Sequence, residues 1–198
     1  MKNKEQILVV PVNHVSHIEN GLTGTIVSLS TKGSYNLFDS IGIYEPRQKI
    51  QDNICLVKIA VVMLFKNDKE QYLVKELTDK SKRPCMELGI TSFIKKESGN
   101  HQALFNQMNT ISNQIGLNTN EVSYQYTGHI RDLGNEVTKT ILGTIYSVNC
   151  NTSDIKITDS KTCSYKWYDL DTLVNNYSKT TNWSKELIDA LLIKKITI

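Results

Sequence analysis

No apolar stretch in this 198-residue chain is long enough to cross a bilayer: the longest, Ile59 to Phe65, has seven residues, against the roughly 20 that a spanning helix needs. No signal-like leader precedes it, and the four cysteines, Cys55, Cys85, Cys150 and Cys163, form no C-x-x-C pair. A cytoplasmic protein with free thiols and no membrane contact is the expectation. His14-x-x-His17 has the look of half a zinc site, but no Cys or His lies nearby to complete the four ligands structural zinc requires. There is no G-x-S-x-G, no P-loop and no cysteine beside a histidine, so no nucleophile or phosphate cradle is announced. The net charge of +3 is too small to indicate a nucleic-acid partner. Internal repeats and low-complexity segments are also absent.

What is present is a globular composition, with 39% hydrophobic and 22% charged residues, in a length that suits one domain able to bury a real core. Residues 7 to 12, ILVVPV, read as a short strand whose Pro11 places it at a sheet edge or marks a strand end. Thr25 to Leu29 is a strand candidate within a mixed stretch from Ser16 to Pro46 that has no clean period. Leu56 to Phe65 and Gln71 to Leu77 read as two strands joined by a turn at Lys66 to Lys69, a hairpin. The nearly continuous apolar content of the first implies burial on both faces, hence helices on both sides of a sheet.

Further on, Val122 to Ile130 and Val137 to Val148 form a second hairpin around Arg131 to Asn135. Cys163 to Tyr168 is a last strand running into a short helix capped by an aspartate, and Trp183 to Leu192 is a closing helix behind the caps Thr181 or Asn182. Between the hairpins, Ile90 to Ile94 leads through a polar loop with Gly99 into a helix ending at Gly116, glycine being the residue that best tolerates a left-handed helix stop. Leu104, Met108, Ile111 and Ile115 make its core-facing stripe.

Strand, loop, helix and Gly116-Leu117 together resemble a Nudix box, G-x5-E-x7-R-E-U-x-E-E-x-G-U, where U is aliphatic. In that register R-E-U-x-E-E falls on Asn109, Thr110, Ile111, Ser112, Asn113 and Gln114, so only the aliphatic position is kept. The lone glutamate falls on His101, the opening glycine on Lys95, and the glycine pair that often precedes the box on Thr91-Ser92. Tyr44 to Arg47 with Asp52 resembles a linker leading into the first strand of Nudix-like proteins that carry an N-terminal extension. Gly128-His129-Ile130, Leu142 to Tyr146, Trp167 to Leu173 and Asn182-Trp183-Ser184 are similar to later parts of that subset.

The resemblance implies a Nudix-type α/β/α sandwich with a mixed β-sheet over residues 51–198, and an N-terminal extension over residues 1–50 packed on it. In that family the helix glutamates hold magnesium, which neutralises a diphosphate and orients the attacking water. Here the degenerate positions are Thr110, Asn113 and Gln114, and residues 101 to 117 contain no Asp or Glu. The expectation is therefore a catalytically inactive binding or regulatory module for a nucleotide or other phosphorylated small molecule, without a metal cofactor. Lys80, Lys82, Arg83, Lys95 and Lys96 would supply the positive charge, and Tyr124 or Tyr126 would stack a base or simply pack. Two alternatives stand beside it. One is a magnesium-dependent hydrolase of nucleoside-diphosphate-linked substrates using displaced carboxylates, with Glu97 the best placed, then Glu87, Glu121, Asp132 and Glu136. The other is a protein-interaction or homodimerisation module.

Overall fold

A twelve-residue strand with apolar side chains on both faces has to be sheathed from two sides, and the fold is arranged to do that. The computed structural model describes residues 5–15, 42–50, 53–78, 85–96, 103–117, 124–132, 138–150 and 162–193. In chain order the elements are β1 (Gln6–Pro11), β2 (Ile43–Pro46), a helical turn α1 (Arg47–Ile50), β3 (Leu56–Asn67), β4 (Tyr72–Leu77), β5 (Met86–Leu88), β6 (Ile90–Phe93), α2 (Ala103–Gln114), β7 (Tyr124–Ile130), β8 (Ile141–Cys150), β9 (Cys163–Tyr168), α3 (Leu170–Asn175) and α4 (Asn182–Leu192).

The central strand is β3. Along one edge it pairs in parallel with β8, from Lys58 opposite Ile141 to Asn67 opposite Cys150, and β8 pairs antiparallel with β7. Its other edge is shared by β1, at Leu56 to Lys58, and β6, at Ala60 to Met63, both antiparallel. The sheet is mixed. β4 meets β3 only beside the turn, at Lys66 opposite Tyr72, and then diverges to pair with β5 and β9. The first hairpin thus exists at its tip alone, because each long edge of β3 already has a partner.

Between β5 and β6 the chain passes from β4 to β3 at Gly89. This residue has φ of 75°, and a Cβ there would stand 2.4 Å from the Met63 carbonyl oxygen. Only glycine fits so close a backbone approach.

Two apolar layers lie on the two faces. Val57, Ile59, Val61, Met63 and Phe65 of β3 share a cluster with Met108 and Ile111 of α2 and with Ile115 just after it, while Val62 and Leu64 share the opposite cluster with Leu187, Ile188 and Leu191 of α4. Burying each such side chain contributes roughly 2 kcal/mol. This is the α/β/α sandwich expected from the unbroken apolar strand.

At the N-terminal end, β1 lies between β2 and β3, and Pro11 ends it opposite Leu56. Its position is a strand end inside the sheet, where the missing N–H costs least. Tyr44 to Pro46 is strand β2 where the sequence suggested a linker, because β1 offers it a pairing edge. The strand candidate Thr25 to Leu29 lies outside the described residues.

Local stop and start signals are met. Asp169 caps α3 by accepting from the Thr172 N–H at 2.7 Å, and Thr181 caps α4 by accepting from the Ser184 N–H. The second hairpin pairs as expected but contains a bulge between Tyr126 and Gly128, and β8 starts at Ile141, after a 3-10 turn over Thr138–Thr140. Among the described residues no helix is long and apolar enough to cross a membrane. All four cysteines are free thiols.

Candidate functional site

Helix α2, reading ALFNQMNTISNQ, carries no charged residue in its twelve positions. Its buried side is set by Met108, Ile111 and Ile115, spaced to fall on one stripe, and the opposite side exposes Thr110, Asn113 and Gln114. The helix stops as its sequence dictates. Gly116 adopts φ of 75°, its N–H donates to the Asn113 carbonyl at 3.1 Å, and the Leu117 N–H donates to the Ser112 carbonyl at 2.9 Å, the paired bonds of a Schellman cap.

The polar side chains of α2 hold neighbours. Gln107, 4% exposed, donates from Nε2 to Ser92 Oγ on β6 at 3.0 Å. Tyr124 on β7 donates its hydroxyl to Asn109 Oδ1 at 3.1 Å and lies 3.0 Å from Ser112 Oγ. Thr110 turns its hydroxyl back to the Asn106 carbonyl at 2.8 Å. Asn113 and Gln114 remain as exposed neutral amides.

Facing the same core layer, the β5-β4-β9 sheet presents a row of side chains in which Glu87, Lys75 and Tyr165 are direct cross-strand neighbours, with Leu73 opposite Trp167 one pair along. Leu73, Tyr165 and Trp167 pack in the apolar cluster that contains Met108 and Ile111. Lys75 Nζ reaches Glu87 Oε2 at 3.2 Å, and both side chains are about two-thirds buried, at 30% and 27% exposure. Burial works against the Lys75 charge, but the Glu87 carboxylate outweighs it and holds the ammonium above its ordinary range. Burial, then the neighbouring Cys163, pushes the Tyr165 hydroxyl up. On the β7-β8 side, His129 is fully buried, with its ring 5.5 Å from that of Tyr126, which lies 5.8 Å from Tyr146. Burial drives its imidazole down to about 4, with the Gly143 backbone opposing, so it is neutral at neutral pH.

This architecture superimposes with a TM-score of 0.76 on the crystal structure of Tm1382, a candidate Nudix hydrolase, at 16% identity over 96% of this chain and 100% of that one. The fold is the Nudix fold. The structure of MutT protein from Methanosarcina mazei Go1 aligns with a TM-score of 0.51 at 11% identity, over 70% of this chain and 94% of that one. No family model and no curated protein matches the sequence. At these identities the likeness concerns the fold.

Within the Nudix fold the box helix is where metal would be held, and the residues present do not fit a magnesium ion. Thr110, Asn113 and Gln114 bring no formal negative charge, whereas magnesium is taken by carboxylates that compensate its reluctant dehydration. Among the described residues no three His, Cys, Asp or Glu side chains are grouped to hold a metal ion. Of the displaced carboxylates considered from sequence, Glu87 is engaged with Lys75, and Asp132 accepts from Asn182 Nδ2 at 3.1 Å beside α4. Glu97, Glu121 and Glu136 lie outside the described residues.

The basic residues divide in the same way. Lys95 pairs with Glu5 at 2.9 Å and Lys96 donates its N–H to the Gln6 carbonyl, both against β1. Lys80, Lys82 and Arg83 lie outside the described residues. Tyr124 and Tyr126 are packing residues: the first holds α2 and stacks edge-on to Phe105, and the second sits between His129 and Tyr146. The charged residue that sequence reasoning passed over is Lys75. Its signal was the alternation of β4, which puts a lysine on the same face as the core residue Leu73.

Proposed function

We propose that this Nudix-fold chain is a binding or regulatory module for a nucleotide or another phosphorylated small molecule and that it does not hydrolyse diphosphates. One observation carries the reading. The box helix keeps its packing face and its glycine stop, while the positions that would hold magnesium are Thr110, Asn113 and Gln114 on a helix without a single charge. A fold that retains the framework and lacks the carboxylates is suited to hold a ligand without activating water.

The α2-facing surface supports this reading through Lys75, a cation about two-thirds buried and paired with Glu87, opposite Tyr165 and one pair from Trp167, where an ammonium and aromatic faces can meet a phosphate and a planar ring once Glu87 yields its place. Nucleotides, nucleotide sugars and diphosphates screened by thermal shift with EDTA present test it. The expected result is stabilisation by at least one class, about 2.7 kcal/mol at one hundred times its dissociation constant, insensitive to metal removal. Absence of stabilisation by all of them, or metal-dependent turnover that is lost in Glu97→Gln, would overturn it.

A further inference from the structure

The sheet formed by β4, β5 and β9 has a second face, turned away from α2. There the ends of β4 and β9, the start of β5 and the turn after α3 line an open pocket of about 340 Å³, within the range of roughly 300–1,000 Å³ that small-molecule pockets occupy. Among the described residues the lining carries one carboxylate, Glu76, and two ammonium groups, Lys166 and Lys179. Glu76 is fully engaged: Lys166 Nζ lies 2.6 Å from one of its oxygens, and the Tyr168 hydroxyl donates to the other.

Lys179 is different. Its Nζ donates to Asn176 Oδ1 at 2.8 Å, a neutral acceptor, and among the described residues it forms no ion pair. Among the described residues the lining therefore carries one more positive charge than it has carboxylates to answer it. The described lining does not suit a metal cation, since two ammonium groups would repel it and Glu76 is already occupied.

We propose that this cavity is a binding site for a small phosphate-bearing molecule, with Lys179 as the principal cation and Lys166 beside it. A compact ammonium is a good point-charge partner for a phosphate, and the neutralised Glu76 offers little repulsion. Met86 supplies an apolar wall for the rest of the molecule. The site uses described residues only and does not depend on the α2-facing surface, from which the sheet separates it.

The cysteines distinguish the two surfaces. Cys85 lines this cavity, Cys163 shares the α2-facing side of β9 with Tyr165, and Cys55 is exposed elsewhere. Alkylation of the full chain, followed at each cysteine by mass spectrometry while inorganic phosphate and then pyrophosphate are titrated, reads both surfaces at once. At ten times the dissociation constant of the probe, Cys85 is expected to react about tenfold more slowly, with Cys55 and Cys163 unchanged. Lys179→Gln, an exposed substitution whose folding is checked by its melting curve, is expected to abolish that protection. Indifference of Cys85 to both probes, or protection that survives in Lys179→Gln, would overturn the proposal. Protection of Cys163 in place of Cys85 would also overturn it, by putting the anion on the α2 face.

Discussion

Helices α2 and α4 cover opposite faces of the same strand, and they differ in what they do with their outward sides. α4 is an ordinary amphipathic helix: Leu187, Ile188 and Leu191 go inward, while Lys185, Glu186 and Asp189 stand at its surface and Asp189 accepts from the Tyr177 hydroxyl at 2.7 Å. α2 buries an equivalent stripe but presents amides, hydroxyls and the ring of Phe105, and no charge. The contrast shows that the packing stripe and the outward chemistry of the box helix are separable. Met108, Ile111, Ile115 and Gly116 suffice to dock and stop the helix, and nothing in that docking asks for glutamates at 110, 113 and 114.

If packing is equivalent on the two sides, the largest effects should be symmetrical. Met108→Ala and Leu187→Ala should each cost about 2–5 kcal/mol, measured by urea unfolding with unchanged m-values. A loss confined to one of them would break the comparison.

Next in size is a pH response that differs in sign between the faces. His129, on the α2 side, has a folded pKa near 4, below its ordinary value of 6.5. The unfolded chain therefore takes up the proton first. Stability from keeping it neutral is fully present above about 6.5 and is lost as pH falls toward 4, about 3 kcal/mol in all. Glu186 on α4 behaves oppositely: burial, then Asp189 and Asp132, raise its folded pKa, so its contribution improves stability as pH falls. Unfolding free energy measured between pH 4 and 7 should decline on acidification in the wild-type chain and lose most of that slope in His129→Gln.

The third effect gives α2 the carboxylates that the Nudix box pattern carries. Thr110→Glu, Asn113→Glu and Gln114→Glu combined place three carboxylates on an exposed face. Mn²⁺ should then stabilise the triple variant by about 2.7 kcal/mol at one hundred times its dissociation constant and leave the wild-type chain unmoved in a parallel melt. Equal stabilisation of both would mean that metal is held elsewhere.

The smallest change concerns the neutral bonds that α2 makes sideways. Tyr124→Phe removes the hydroxyl shared by Asn109 and Ser112 and should cost about 1 kcal/mol, read as a small shift in the unfolding midpoint.

Much of this was legible along the chain. Asp169, Thr181 and Gly116 act through bonds to residues within five positions of themselves, so β9, α3, α4 and the end of α2 could be located from local text. The apolar run of β3 demanded cover on both faces, and the mixed α/β sandwich followed. The partners of β3 were not legible. A hairpin to β4 was the natural reading of two strands around a turn, yet β8, more than 80 residues on, takes that strand along ten pairs. The candidate site divides in the same manner: the neutral box positions were visible in sequence, but Lys75, Glu87 and Tyr165 become one row only when β4, β5 and β9 pair.

The sequence by itself determined the buried apolar stripes of β3, α2 and α4, where α3 and α4 begin and α2 stops, and that α2 would carry no metal-binding charge, because periodicity, caps and side-chain chemistry act over a few residues. Tertiary structure alone decided which strand lies beside which, and so which charges meet. Lys75 is tied to Glu87, Lys95 to Glu5, and Lys179 faces a cavity with its charge unanswered by any carboxylate among the described residues. Those outcomes depend on strand pairings between distant segments, whose choice is made by total burial across the sheet and is not encoded in any one stretch.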